Sequence, residues 1–204
     1  MLAVFASAFD SDDPLNAVEV GERPDPQVPD GWVAVRVKAA SLNHHDLWSL
    51  RGVGLSSAAL PMILGCDAAG VDPEGREVIV HSVIGSASAG GGDETLDPSR
   101  SLLSEKHQGT FAEWVVVPRE NLLAKPAALS FEQAACLPTA WLTAYRMLFS
   151  RGHLQPGETV LVQGAGGGVA SAAIMLARHA GARVWATTRA KGDFALEMGA
   201  HAVF

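Results

Sequence analysis

The chain has 204 residues, with 15 Lys and Arg against 22 Asp and Glu and a formal net charge of −7. Its composition, 48% hydrophobic and 18% charged, is that of a globular chain, and acidity without a basic run excludes nucleic acid or an anionic membrane surface as the main partner. No stretch reaches the ~18 consecutive apolar residues of a membrane span, the N-terminus lacks the basic start of a secretory signal, and two cysteines build no disulfide framework, so a cytoplasmic protein is expected.

No period of about 20–50 residues repeats, which excludes solenoids and propellers. The first 125 residues read as strands and turns. Val33, Val35, Val37 and Ala39 alternate with Ala34, Arg36 and Lys38, the signature of a half-buried strand. β-rich runs follow at EVIVHSVI (77–84) and FAEWVVVP (111–118). Segment 85–110 reads as a polar loop containing Gly90, Gly91 and Gly92, long enough to be a lid or binding loop. Beyond Pro126 the pattern changes. Ser130 and Gln133 have capping-box spacing and predict a helix start, and 139–150 continues as a second helical segment that stops near Gly152. VLVQ (160–163) predicts a strand. Val169, Ala172, Ala173, Leu176, Ala177 and Ala180 then form one face of small residues on a helix. A strand at 182–188, a helix near 193–198 and a third strand, HAVF, complete an alternation that implies a parallel sheet.

The strand at 160–163 runs into Gly164, Ala165, Gly166, Gly167, Gly168 and Val169 before the helix. A dinucleotide's pyrophosphate can rest on a helix N-terminus only where no side chain keeps the backbone away. Strand, glycine turn, small-faced helix and second strand fall in the order such a site needs. At the end of the second strand, where an NAD-binding unit places a carboxylate, stand Thr187, Thr188 and Arg189, with Lys191 close behind. Hydroxyls with a guanidinium suit a 2′-phosphate, so NADP(H) is expected over NAD(H). The plainer reading makes Arg189 a solvated residue opening the next helix.

Six segments resemble the medium-chain dehydrogenase/reductase superfamily: AASLNHHDLWSLRG (39–52), LPMILGCDAAGV (60–71), GTFAEWVVVP (109–118), LPTAWLTAYRML (137–148), VLVQGAGGGVA (160–170) and MGAHAVF (198–204). The resemblance covers nearly the whole chain. It implies a GroES-like β domain over 1–126, then the first half of a doubly wound Rossmann sheet over 127–204. It also implies hydride transfer between NAD(P)H and a small-molecule carbonyl, enone, quinone or alcohol. The positions matching the ligands of the family's catalytic zinc look like Asn43, Cys66–Asp67 and Thr139. Asn and Thr are poor zinc ligands, so no catalytic zinc is expected. The four-cysteine structural zinc lobe has no counterpart, since 85–110 contains no cysteine.

The pattern from Asn43 to Asp46 resembles the zinc-independent, quinone oxidoreductase-like branch. Hydride delivery there relies on positioning and on hydrogen bonds to the developing oxyanion. The candidate catalytic residues are Asn43, His44, His45, Asp46, Thr139 and Thr143, with His45 at the place of the alcohol dehydrogenases' proton-relay hydroxyl. The plain structural readings are surface histidines at 44 and 45, a helix cap at Asp46, buried small hydrophobes at Cys66 and Cys136, and a packed Tyr145. The family's second Rossmann half has no match, so a homodimer is expected only where that half is present. Two rival functions follow: a zinc alcohol dehydrogenase with altered ligands, and a catalytically silent nucleotide-binding protein.

Overall fold

The computed structural model describes residues 1–204, which fold as two compact units, Met1–Pro138 and Thr139–Phe204. The first unit is built of strands β1 (Leu2–Ala6), β2 (Val18–Glu22), β3 (Trp32–Ser41), β4 (Met62–Ile63), β5 (Asp67–Val71), β6 (Glu77–Val80), β7 (Val83–Ile84), β8 (Ser101–Leu102), β9 (Trp114–Pro118) and β10 (Leu122–Ala124). An antiparallel five-stranded sheet runs in the order β10-β6-β5-β3-β9, and a three-stranded one in the order β2-β1-β4. The alternation in β3 works as predicted. Val33 and Val35 are buried against Val80, Val115 and Val117, while Ala34 and Arg36 point the other way. β5 needs a glycine at position 70, where a Cβ would lie 2.3 Å from the carbonyl oxygen of Arg36 across the sheet.

Two short helices decorate this unit, α1 (His44–Leu50) and α2 (Phe131–Ala135). α2 starts at the predicted capping box: the Gln133 N–H donates to Ser130 Oγ (3.2 Å), and the Ser130 N–H donates to Gln133 Oε1 (3.0 Å). Ala134 and Ala135 pack on Ala69 and Ile79, so the first unit continues past residue 126. The run 77–84 is not one strand. At its middle the His81 N–H turns to the carbonyl of Asn121, and Asn121 Nδ2 donates to the carbonyls of His81 and Val83. Cys136, expected to be buried, is exposed: it caps the C-terminal end of α2 and its thiol donates to the Glu132 carbonyl.

The second unit contains α3 (Leu142–Tyr145), β11 (Thr159–Val162), α4 (Gly168–His179), β12 (Arg183–Ala186), α5 (Gly192–Glu197) and β13 (Ala202–Val203). The strands pair in parallel in the order β11-β12-β13, the parallel sheet expected from the alternation and the half of a doubly wound sheet that the resemblance implies. The predicted helix over 139–150 consists of α3 between two wider, π-type turns, Leu137–Trp141 and Arg146–Arg151. α4 lays Ala172, Ala173, Ile174 and Ala177 on Val162, Val184 and Ala186. Small residues there let helix and sheet approach closely, which sets the strand ends and the helix start side by side.

Candidate functional site

The start of α1 is held by one buried carboxylate. Asp46, 5% exposed, accepts from the Asn43 N–H at Oδ2 (2.7 Å) and from the Gly65 N–H at Oδ1 (3.2 Å). Burial raises its carboxyl above the usual range, against the opposing pull of Asn43, His45 and Gly65. The side chain of Asn43 points to a second carboxylate. Its Nδ2 donates to Oδ2 of fully buried Asp67 at 2.9 Å, and Ser41 Oγ donates to the same oxygen at 2.9 Å.

His45 turns inward and both its ring nitrogens are engaged. Nε2 lies 3.0 Å from Glu105 Oε1, and Nδ1 lies 3.2 Å from Cys66 Sγ and 3.4 Å from Ser104 Oγ. Burial, with the nearby carboxylates of Asp46, Asp67 and Glu105, pushes the Cys66 thiol up to about 12. The thiol therefore keeps its proton at neutral pH. Nε2 donates to the Glu105 carboxylate, which leaves Nδ1 to meet the thiol and the Ser104 hydroxyl. His44, the preceding residue on α1, is exposed, so the two histidines diverge. Donor atoms of His45, Asp46 and Cys66 lie within 4.8 Å of one another. Each of them is already in a hydrogen bond, and a zinc ion would have to displace those bonds and the thiol proton.

Ser104 and Glu105 escaped sequence reasoning. Both come from the 85–110 segment, about sixty positions from His45, and no periodicity marks them; the only trace is the polar run Ser104-Glu105-Lys106-His107 just before the Gly109-Thr110 motif. Ser104 has φ of 62°, in the left-handed region, and that turn directs Leu103, Ser104 and Glu105 at Cys66 and His45. Thr139 and Thr143 belong to the second unit; Thr139 is half-buried, and Thr143 is exposed on α3.

In the second unit the glycine turn joins β11 to α4. Gly164 and Gly166 have φ of 73° and 118°, conformations that favour glycine. Gly167 is different: its φ is −91°, and a Cβ there would meet nothing within 4 Å. Neither backbone nor packing asks for glycine at 167, and the space a side chain would fill lies at the N-terminus of α4. No side chain caps that helix, and its first turn has no acidic residue. Those amides and that space suit a phosphate.

Thr187, Thr188, Arg189, Lys191 and Phe204 line an open cavity of about 520 Å³ beside Gly164 and Ala165. Both threonine hydroxyls build the turn. Thr187 Oγ1 accepts from the Gly164 N–H (3.2 Å), and Thr188 Oγ1 donates to the Ala165 carbonyl (3.3 Å) and accepts from the Lys191 N–H (3.2 Å). Lys191 lies across the turn with Nζ 3.4 Å from the Gly166 carbonyl, and Arg189 is exposed at the rim.

Residues 29–127 match the family model of the alcohol dehydrogenase GroES-like domain. The chain is 33% identical to a crotonyl-CoA carboxylase/reductase of Cereibacter sphaeroides over 94% of its own length and 50% of that protein. Among solved structures, an NAD-dependent alcohol dehydrogenase superposes with a TM-score of 0.89 at 37% identity, covering all of this chain and 63% of that one. A quinone oxidoreductase of Thermus thermophilus, solved also with NADPH, gives a TM-score of 0.75 at 33% identity, covering all of this chain and 59% of that one. The chain thus spans less than two thirds of the length of each. With its antiparallel β unit, its parallel sheet and these relatives, the chain belongs to the medium-chain dehydrogenase/reductase superfamily of oxidoreductases.

Proposed function

We propose that this chain holds NADP(H) at the β11–α4 turn and serves hydride transfer to a carbonyl, enone or quinone without a catalytic zinc. The observation that carries the nucleotide site is Gly167, a glycine with no conformational or packing reason of its own at an uncapped helix start. When bound, the nicotinamide supplies or accepts the hydride. The chain's own residues do the rest: amides from Gly166 to Val169 take the pyrophosphate, and Arg189 with Lys191 takes a 2′-phosphate. The threonines at 187 and 188 hold the turn's shape.

Independence from zinc is supported by the donor set. Asn43 gives its amide to Asp67, both oxygens of Asp46 accept N–H groups, and both nitrogens of His45 are engaged. The same bonds favour His44 over His45 as the group that passes a proton to the reduced substrate, because His44 is the exposed one of the pair. Asn43 and Asp46 then act as positioning residues for the start of α1.

A zinc-dependent alcohol dehydrogenase with altered ligands has one observation in its favour, the proximity of His45, Asp46 and Cys66. Exhaustive chelation separates the two readings. NADPH-dependent reduction of an enone or quinone that survives chelation supports the proposal. Activity that disappears with the chelator, returns with zinc and is lost in Cys66→Ala supports the zinc reading instead. Stoichiometric NADPH binding with no turnover on any carbonyl, enone or quinone would mark a silent nucleotide-binding protein.

A further inference from the structure

The first unit has a groove that none of this chemistry uses. Along β9 the side chains alternate: Val115 and Val117 face the core, and Trp114 and Val116 face outward, as Trp32 does on the neighbouring β3. These outward side chains form one wall of a groove of about 680 Å³, within the range of small-molecule sites, roughly 300–1,000 Å³. Residues of the stretch 24–29 line it too, and there Pro24, Pro26 and Pro29 withhold amide donors and keep the chain extended. Indole and proline rings thus make up much of the lining.

The charges in the groove are unbalanced. Its carboxylate, Asp25, is taken by the N-terminal ammonium at 3.0 Å. Besides that ammonium, which Glu22 also contacts at 3.2 Å, its full cations are Arg23 and Lys106. The Arg23 guanidinium sits 5.0 Å from the Phe5 ring centroid, and neither cation is in an ion pair with an acidic side chain. His107, its ring tilted against Trp32 with 5.1 Å between centroids, is driven towards its neutral form by burial and then by Lys106. Two indole side chains, three prolines and two cations outside any ion pair complement a flat ring that carries a negative charge.

We propose that this groove binds a planar aromatic carboxylate, its ring against Trp114 and Trp32 and its carboxylate towards Arg23 and Lys106. The test is calorimetric titration of the 204-residue protein with 2-naphthoate, compared with uncharged 2-naphthalenemethanol. Saturable one-to-one binding of the naphthoate is expected, with the alcohol about tenfold weaker for want of the charge-assisted bonds. Trp114→Leu should weaken both ligands by about tenfold, the scale of a lost aromatic contact. The exposed Lys106→Gln, which does not threaten folding, should weaken only the naphthoate. Saturating NADP⁺ should leave the titration unchanged, which separates this site from the glycine turn. No saturable binding, Trp114→Leu binding as the parent does in a folded protein, equal affinity for acid and alcohol, or displacement by NADP⁺ would each overturn the proposal.

Discussion

Replacing Arg189 by Ala should change which nicotinamide cofactor the protein holds. Arg189 is exposed at the rim of the cavity beside the glycine turn; of the neighbouring hydroxyls, that of Thr188 gives its proton to the Ala165 carbonyl, and that of Thr187, a neutral group, is held against the Gly164 amide. The guanidinium is therefore the main group left for a 2′-phosphate. A charge-assisted hydrogen bond contributes about 1.5–3 kcal/mol, and an open, screened setting places this one near the lower end. About 1.5 kcal/mol corresponds to roughly a tenfold loss of NADPH affinity. NADH has no 2′-phosphate, so its affinity should change by less than about twofold, no bond to Arg189 being lost. Titrating the protein with each cofactor, following nicotinamide fluorescence at low and high salt, measures both constants. The parent's preference for NADPH should shrink as salt rises, since Lys191 and Arg189 act through exposed charges. Equal losses for both cofactors, or none for either, would refute the assignment of the 2′-phosphate to Arg189.

Gly167→Ser should separate folding from binding: serine is at least as good an N-cap as glycine and meets nothing within 4 Å, so the melting temperature should hold or rise while NADPH affinity falls about tenfold or more as a hydroxyl enters the phosphate's place. The two cysteines should differ sharply with a thiol reagent at mildly alkaline pH: exposed Cys136 reacts in the native protein, whereas Cys66, buried with its thiol pushed up to about 12, reacts only after denaturation. Both thiols titrating at one rate in the native state would count against the geometry around His45. Asp97 accepts from the Ser86 N–H and from the N–H and hydroxyl of Ser99, and these bonds hold its carboxyl below the usual range. A lowered folded value stabilises the protein above the unfolded carboxylate value of about 3.9, and the benefit disappears as pH falls through the folded one. Urea unfolding should show Asp97→Asn weaker than the parent by a constant margin at neutral pH, with the gap closing below about pH 4; a gap that persists in acid would contradict this.

Local patterns made much of the fold legible and little of the site. The alternation in β3, the Ser130–Gln133 box and the glycine turn are encoded over a few residues, so each could be read without knowing what packs on it. The small face of α4 was also visible, although Ile174, off the predicted stripe, is among the fully buried side chains; α3 packs on α4 as well as the sheet does, so more than one stripe is covered. What could not be read depends on distant partners. The break at 81–82 is made by Asn121, forty positions on. The Asn43–Asp67 and His45–Glu105 contacts span 24 and 60 positions. A residue type suited to proton transfer, such as His45, says nothing of whether both its nitrogens are already engaged.

The way the chain treats its helix starts bears on the nucleotide site independently of any glycine count. α1 opens on Asp46, α2 on Ser130 and Glu132, and α5 has Asp193 in its first turn. Each of these short helices thus meets its positive end with an oxygen or a carboxylate of its own. α4 is the longest, with twelve residues, and has the largest set of aligned peptide dipoles, yet it has neither a side-chain cap nor a first-turn acid. A carboxylate there would stabilise the helix by about 0.3–1 kcal/mol and would repel a phosphate brought to the same amides. α3 also lacks a cap and a first-turn acid, but it continues the π-type turn Leu137–Trp141 and has no free start of its own; a chain selected for stability alone would have no reason to leave its longest helix uncapped while supplying α1, α2 and α5. An anion that arrives from outside and leaves again gives that reason, and a redox coenzyme exchanged at every turnover is such an anion.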